Sequence, residues 1–146
     1  MTVKLVRGDI VSSEVPVQVI PVNRAGIAGA GLAYNYREKY PEWLQAYRVW
    51  CNDGCPGDGF MTGGDGVGLL PAITKDHPRN KSTKIHVVNA CAAILRTCDK
   101  RGITVIAVPA LGCGLGGLDW KEVIPYMTHM LWDIPTVYIF MPQGRL

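Results

Sequence analysis

Two runs of small residues carry most of the chemical information in this 146-residue chain. The first is Asn23–Gly31 (NRAGIAGAG) and the second is Leu111–Gly117 (LGCGLGG). Each follows an apolar run of strand type and precedes a segment of helical pattern. Loops lacking Cβ atoms let main-chain N–H groups come close to an anion, and the N-terminus of the next helix adds a favourable dipole. Two such loops facing one crevice suit a diphosphate. Neither run is a G-x-x-x-x-G-K-[ST] loop, nor a G-x-G-x-x-G with a well-placed acidic ribose ligand, so a diphosphate group would be held by another geometry. The plain alternative is that the glycines only make tight strand-to-helix turns.

Other candidate groups read more simply. Cys51 and Cys55 supply half a metal site, but no second C-x-x-C or H-x-x-x-H accompanies them, so neither a metal nor a cofactor is expected. Cys113 lies in the second loop without an evident histidine–acid partner and reads as a small packing residue. Arg79, Lys81 and Lys84 form a basic run: a solvated helix start, or an edge for the phosphates of a single strand. Trp43, Tyr47 and Trp50 recur at helical spacing, as core residues do, with a stacking platform as the alternative. His86 and His129 fall in helical segments and read as structural.

The elements that must position these residues alternate. Val3–Val6, Val17–Val22, Val67–Ile73, Ile103–Val108 and Thr136–Met141 are strand-like runs, with a short strand near Phe60. Pro21 is awkward inside a strand and is expected near its end or a bulge. Leu32–Tyr40 and Glu42–Cys51 read as helices broken at Pro41. Ser82 is expected to cap a helix to about Asp99 with Ile85, Val88, Ala92 and Leu95 inward. Asp119 is expected to cap another to about Leu131. Continuous apolar strands alternating with helices predict a three-layer α/β/α sandwich around a mixed central sheet, as one domain over residues 1–146.

Composition narrows the classes. Fifteen basic against twelve acidic residues leave +3, too mild for a duplex-binding protein, and 48% hydrophobic with 18% charged residues is too apolar for disorder. The N-terminus has no apolar signal-peptide core, and no run is long enough to span a membrane. Five cysteines without secretory context are expected as reduced thiols in the cytoplasm.

The order Val6-Arg7-Gly8-Asp9-Ile10, then Pro21-Val22-Asn23 before a glycine loop, then Val108-Pro109-Ala110-Leu111-Gly112-Cys113-Gly114, resembles a macrodomain, the ADP-ribose-binding module. Gly26–Ala33, Thr74–Ser82 (TKDHPRNKS) and Gly112–Trp120 are similar to the branch that contains the DNA ADP-ribosyl glycohydrolase antitoxins, and short bacteriophage macrodomains also resemble the chain. The resemblance implies that Asp9 accepts from the adenine amino group, with Ile10 backing the ring. It implies that Asn23 bonds the distal ribose, that Gly29, Ala30 and Gly31 line ribose and diphosphate, and that Gly112, Cys113, Gly114, Leu115 and Gly116 form the second phosphate loop. Phe140 is a further candidate against adenine, with core packing as the alternative.

Lys75 falls where these relatives carry a catalytic lysine, with His77 beside it to orient substrate. As a cation Lys75 would stabilise or protonate the group leaving C1″; as a free amine it would attack that carbon. Relatives that release ADP-ribose from acidic side chains have an aspartate where this chain has Gly116, so an acceptor bonded through a nucleobase is implied instead. The expected activity is removal of ADP-ribose from a macromolecule, a nucleic-acid base being one acceptor. An ADP-ribose 1″-phosphate phosphatase and a non-catalytic ADP-ribose reader are the alternatives.

Overall fold

The computed structural model describes residues 2–142. Six strands form one mixed sheet: β1 (Thr2–Val6), β2 (Val17–Asn23), β3 (Met61–Thr62), β4 (Gly68–Lys75), β5 (Val105–Pro109) and β6 (Thr136–Phe140). Their order is β1-β6-β5-β2-β4-β3, parallel throughout except that β3 runs antiparallel to β4. Helices α1 (Gly31–Lys39) and α2 (Pro41–Asn52) cover one face; α3 (Lys84–Arg101) and α4 (Trp120–Met130) cover the other.

The two-residue period of each strand divides the core into two halves. Val19, Leu70, Ile106, Val108, Val137 and Ile139 meet α3 and α4 through Val87, Cys91, Ile94, Val123 and Met127. Ile20, Val22, Leu69, Ala107 and Phe140 meet α1 and α2 through Tyr36, Trp43 and Tyr47. Trp43 and Tyr47 stack at 5.0 Å between ring centroids and both are fully buried, as the spacing predicted, while Trp50 is half-buried at the edge of the same core. Truncating such a ring to alanine costs about 3–5 kcal/mol.

Pro21 stands opposite Ala72 in β2, and the register slips one residue later, between Val22 and Asn23. Pro41 occupies the first turn of α2, where its missing N–H costs nothing. The cap of α3 differs from expectation. Thr83, not Ser82, caps it, accepting from the His86 amide while the His86 ring accepts from the Thr83 amide. The inward face of α3 is also rotated: Val87, Ala90, Cys91, Ile94 and Cys98 are buried, whereas Ile85 is 70% exposed and Val88, Ala92 and Leu95 are half-buried. Apolar residues ring most of this helix, so periodicity alone does not select the stripe that meets β4 and α4. Asp119 caps α4 as expected, accepting from the Lys121 amide at 3.0 Å.

Chain order places the functional region. From β2 the chain passes over one face to β4; from β4 it crosses the other face to β5, on the opposite side of β2. The switch point therefore lies between β2 and β5, the two strands that the glycine runs follow, and crevices form beyond strand carboxyl ends at such points.

Candidate functional site

A cleft of about 570 Å³ opens beyond the carboxyl ends of the parallel strands, within the range of small-molecule sites. Gly8, Asp9 and Ile10 after β1, Asn23 and Gly29–Gly31 after β2, Lys75 ending β4, Gly112–Gly116 after β5, and Phe140 ending β6 all line it. These residues thus share one cavity although they are spread over the whole chain; His77, expected beside Lys75 to orient substrate, is not among them.

The main chain dominates its chemistry. Among the described residues, the amides of Gly29, Ala30 and Gly31 and those of Gly114, Leu115 and Gly116 find no acceptor. Thr83 and Asp119 cap α3 and α4 through their side chains, but the N-terminus of α1 follows Ala30 with no side-chain cap and no acidic residue in its first turn. The helix that opens on the cleft therefore keeps its donors and its partial positive charge for an occupant. Leu115, 65% exposed, leans from the second loop across Gly31 of the first: a Cβ on Gly31 would sit 3.2 Å from its Cδ1.

The second loop is shaped by contacts that forbid side chains. Gly112 has φ +76°, a conformation L-residues avoid, and a Cβ there would press on Leu118 and Ser82. A Cβ on Gly116 would collide with the Ser82 hydroxyl and the Gly112 carbonyl. Ser82 is buried, its hydroxyl has no partner among the described residues, and its amide donates to the Gly116 carbonyl at 3.0 Å. This bond ties the segment that begins at Lys75 to the second loop. Packing thus closes position 116 to an acidic side chain.

Asn23 works within its own loop. Its Oδ1 accepts from the amides of Ala25 (3.0 Å) and Ile27 (3.3 Å) and from the Tyr47 hydroxyl (3.1 Å). Its Nδ2 donates to the Ile27 carbonyl at 2.8 Å, which leaves one amide hydrogen for a ligand. Tyr47, read from the sequence as core or a stacking platform, also donates to the Asn23 carbonyl at 2.6 Å, so it fixes the loop's start. Burial pushes that phenol well above its ordinary value and keeps it a donor.

Asp9 is likewise half committed. One oxygen accepts from the Val11 amide at 3.1 Å and the other from the Ser12 hydroxyl at 2.7 Å, shaping the 3-10 turn Ile10–Ser12. Each oxygen keeps a lone pair, and the residue is exposed to the cleft. Ile10 is buried against the same wall.

Lys75 is half-buried, and its ammonium donates to the Pro78 carbonyl at 3.3 Å. Its own carbonyl accepts from the Arg24 amide, joining the ends of β2 and β4. His77 lies outside the cleft lining; its Nδ1 accepts from the Arg79 amide at 3.2 Å, a turn-forming role. Cys113 is buried with its thiol against the Leu111 carbonyl. Burial, then Asp119, pushes that thiol up to about 12, so it stays protonated and packs. Cys51 and Cys55 approach to 3.9 Å, but among the described residues no third His, Cys, Asp or Glu joins them.

Residues 19–127 match the model of the Macro domain family, and the chain belongs to that family. The DNA ADP-ribosyl glycohydrolase of Mycobacterium tuberculosis is 32% identical over 145 residues, covering 94% of this chain and 41% of that protein. The macrodomain of M. tuberculosis DarG superposes with a TM-score of 0.90 at 25% identity, over 98% of this chain and 99% of that one. Thermosipho africanus DarTG in complex with ADP-ribose superposes at 0.88 with 30% identity, over 99% of this chain and 43% of that one. The chain spans about two fifths of the length of the first of these relatives. Among the described residues no helix is long and apolar enough to cross a membrane.

Proposed function

We propose that the cleft binds ADP-ribose and that the chain hydrolyses the bond joining C1″ of the distal ribose to a macromolecular acceptor, a nucleic-acid base. The observation that carries this reading is Lys75 reaching the same cleft as two loops of unpartnered amides. Gly29–Gly31 and Gly114–Gly116 grip the diphosphate, the Asp9 lone pairs accept from the adenine amino group, and Ile10 and Phe140 flank the ring. Asn23 donates its remaining amide hydrogen to the distal ribose. That two similar proteins are named DNA ADP-ribosyl glycohydrolase, and that a similar fold is described in complex with ADP-ribose, supports the ligand and the acceptor class. Five free thiols fit a reducing, cytoplasmic setting.

Lys75 supports two chemistries. Its ammonium stabilises the base leaving C1″ while water adds to that carbon, or its free amine attacks C1″, the C1″–base bond breaks, and the base takes the amine's proton. The second route leaves a glycosylamine; breaking of its C1″–ring oxygen bond, with a proton passing from nitrogen to that oxygen, gives a Schiff base that borohydride reduces to a stable adduct and that water otherwise hydrolyses. A binding-only reading draws on Gly116, where the second loop has neither an acid nor room for one.

The decisive assay compares wild type and Lys75→Ala on ADP-ribosylated single-stranded DNA, ADP-ribosylated protein and ADP-ribose 1″-phosphate. Release from DNA is expected to fall at least ~100-fold in the variant, in the range of a lost acid–base or nucleophilic group, while calorimetry shows ADP-ribose affinity nearly kept. Full release by Lys75→Ala would falsify the assignment. Binding by wild type without turnover on any substrate makes the chain a reader, and phosphate release from the 1″-phosphate alone makes it a phosphatase.

A further inference from the structure

The chain's entire excess of positive charge sits in one short segment. Of its fifteen basic and twelve acidic residues, residues 74–86 hold four basic and one acidic, and the remainder balances at eleven of each. That acid, Asp76, is already engaged by Arg24 at 3.3 Å and by His86 at 3.4 Å. Arg79, Lys81 and Lys84 are exposed and make no ion pair among the described residues.

The segment starts in the cleft and is tied to its second loop. Lys75 and Pro78 line the cleft, and Ser82 bonds to Gly116, which also lines it. The Lys81 stem lies beside Gly117, where a Cβ would come 3.7 Å from its Cδ. The Lys84 ammonium stands 5.0 Å from the centre of the Tyr126 ring on α4. The basic residues therefore form a rim that starts at the candidate catalytic lysine and runs outward to the first residue of α3, Lys84, which packs over Tyr126 of α4.

We propose that this rim is a track for the phosphates of single-stranded DNA, guiding a modified base to Lys75. The proposal rests on the reading of the cleft as a hydrolase site, because the acceptor must emerge where C1″ reacts. A polyanion is the partner whose charge matches a row of cations that make no ion pair among the described residues. A base inserted as far as Lys75 has to leave its partner strand, which selects a single strand over a duplex.

The test is kinetic, with a single-stranded DNA oligonucleotide carrying one ADP-ribosylated base and, as control, the same ADP-ribosylated base on a nucleoside without phosphates. Three single-strand phosphate contacts at a slope of about −0.7 each predict a roughly 20-fold fall in kcat/KM on the oligonucleotide between 50 and 200 mM salt. The nucleoside adduct should show little salt dependence. In the triple variant Arg79→Gln/Lys81→Gln/Lys84→Gln, turnover of the nucleoside adduct and ADP-ribose affinity should be unchanged. Its kcat/KM on the oligonucleotide should drop to the nucleoside value and lose its salt slope.

Wild-type kcat/KM and slope retained by the triple variant would overturn the track, as would a loss confined to an ADP-ribosylated acidic peptide. If wild type turns over neither DNA substrate, the hydrolase reading fails separately. Fluorescence anisotropy on the same oligonucleotide then decides the track: salt-dependent binding abolished in the variant upholds it, and unchanged binding overturns it.

Discussion

At Gly116 and Gly114, two glycine requirements two residues apart have different physical origins, and substitution separates them. A Cβ on Gly116 meets the Ser82 hydroxyl and the Gly112 carbonyl, and the latter is backbone that cannot turn aside. Gly116→Asp should therefore destabilise the fold by about 1–3 kcal/mol, as overpacking does, and should not convert the chain to ester chemistry. At Gly114 nothing lies within 4 Å of an added Cβ, and φ is outside the left-handed region. Gly114→Val should leave the thermal midpoint nearly unchanged while ADP-ribose binding, measured by calorimetry, falls at least ~10-fold, equivalent to about 1.4 kcal/mol. Equal stability losses at the two positions would contradict the argument. Asn23 shows how a residue type can be read for one role and spend most of its capacity on another. Its side chain mainly holds Ala25, Ile27 and Tyr47 in place, so the loop amides meet a ligand already ordered.

Helix α1 makes the corresponding trade at the scale of an element. An aspartate at its N-cap would accept from the first-turn amides, and Ala30 has the extended backbone of a capping residue (φ −156°, ψ 166°). Ala30→Asp should accordingly raise stability by about 1 kcal/mol, seen as a higher thermal midpoint. It should lower ADP-ribose affinity at least ~10-fold, because the carboxylate occupies the donors and repels the diphosphate. A variant both more stable and equally tight would show that the ligand does not use this helix end. What the sequence made legible follows the same division between local and distant causes. Strand alternation, the Asp119 cap and the two glycine loops depend on neighbouring residues and could be read directly. The Thr83 cap and the buried face of α3 were displaced by one position, since several apolar stripes compete on that helix and only β4 and α4 choose between them. The Tyr47–Asn23 bond joins residues 24 apart, and the Ser82–Gly116 contact joins two loops, so neither leaves a local trace.

At the scale of the whole molecule, the cleft depends on two helical layers being held in register across a six-stranded sheet. At the switch point they are joined through the sheet itself, but the β3 edge is short and needs another tie. Asp58, in the connection from α2 to β3, receives two bonds from Arg101 at the end of α3, at 2.8 and 3.1 Å. The guanidinium also lies 4.5 Å from the centre of the Phe60 ring. This clamp reaches around the sheet edge from one helical layer to the other. Arg101 holds the Asp58 carboxyl below the usual carboxylate range, the Phe60 amide assists, and partial burial opposes. A carboxyl whose folded pKa is depressed contributes stability above its unfolded value, near pH 4, and loses it as pH falls through the folded value. Asp58→Asn should thus lower stability by about 1–2 kcal/mol at pH 7, the range of a charge-assisted bond. In denaturant titrations the difference between variant and wild type should shrink steadily below pH 4. Because the clamp lies away from the cleft lining, ADP-ribose affinity at 25 °C should be the same in both proteins. A stability gap that persisted at pH 2, or a loss of affinity matching the loss of stability, would mean that packing at Phe60, rather than the ion pair, closes this edge.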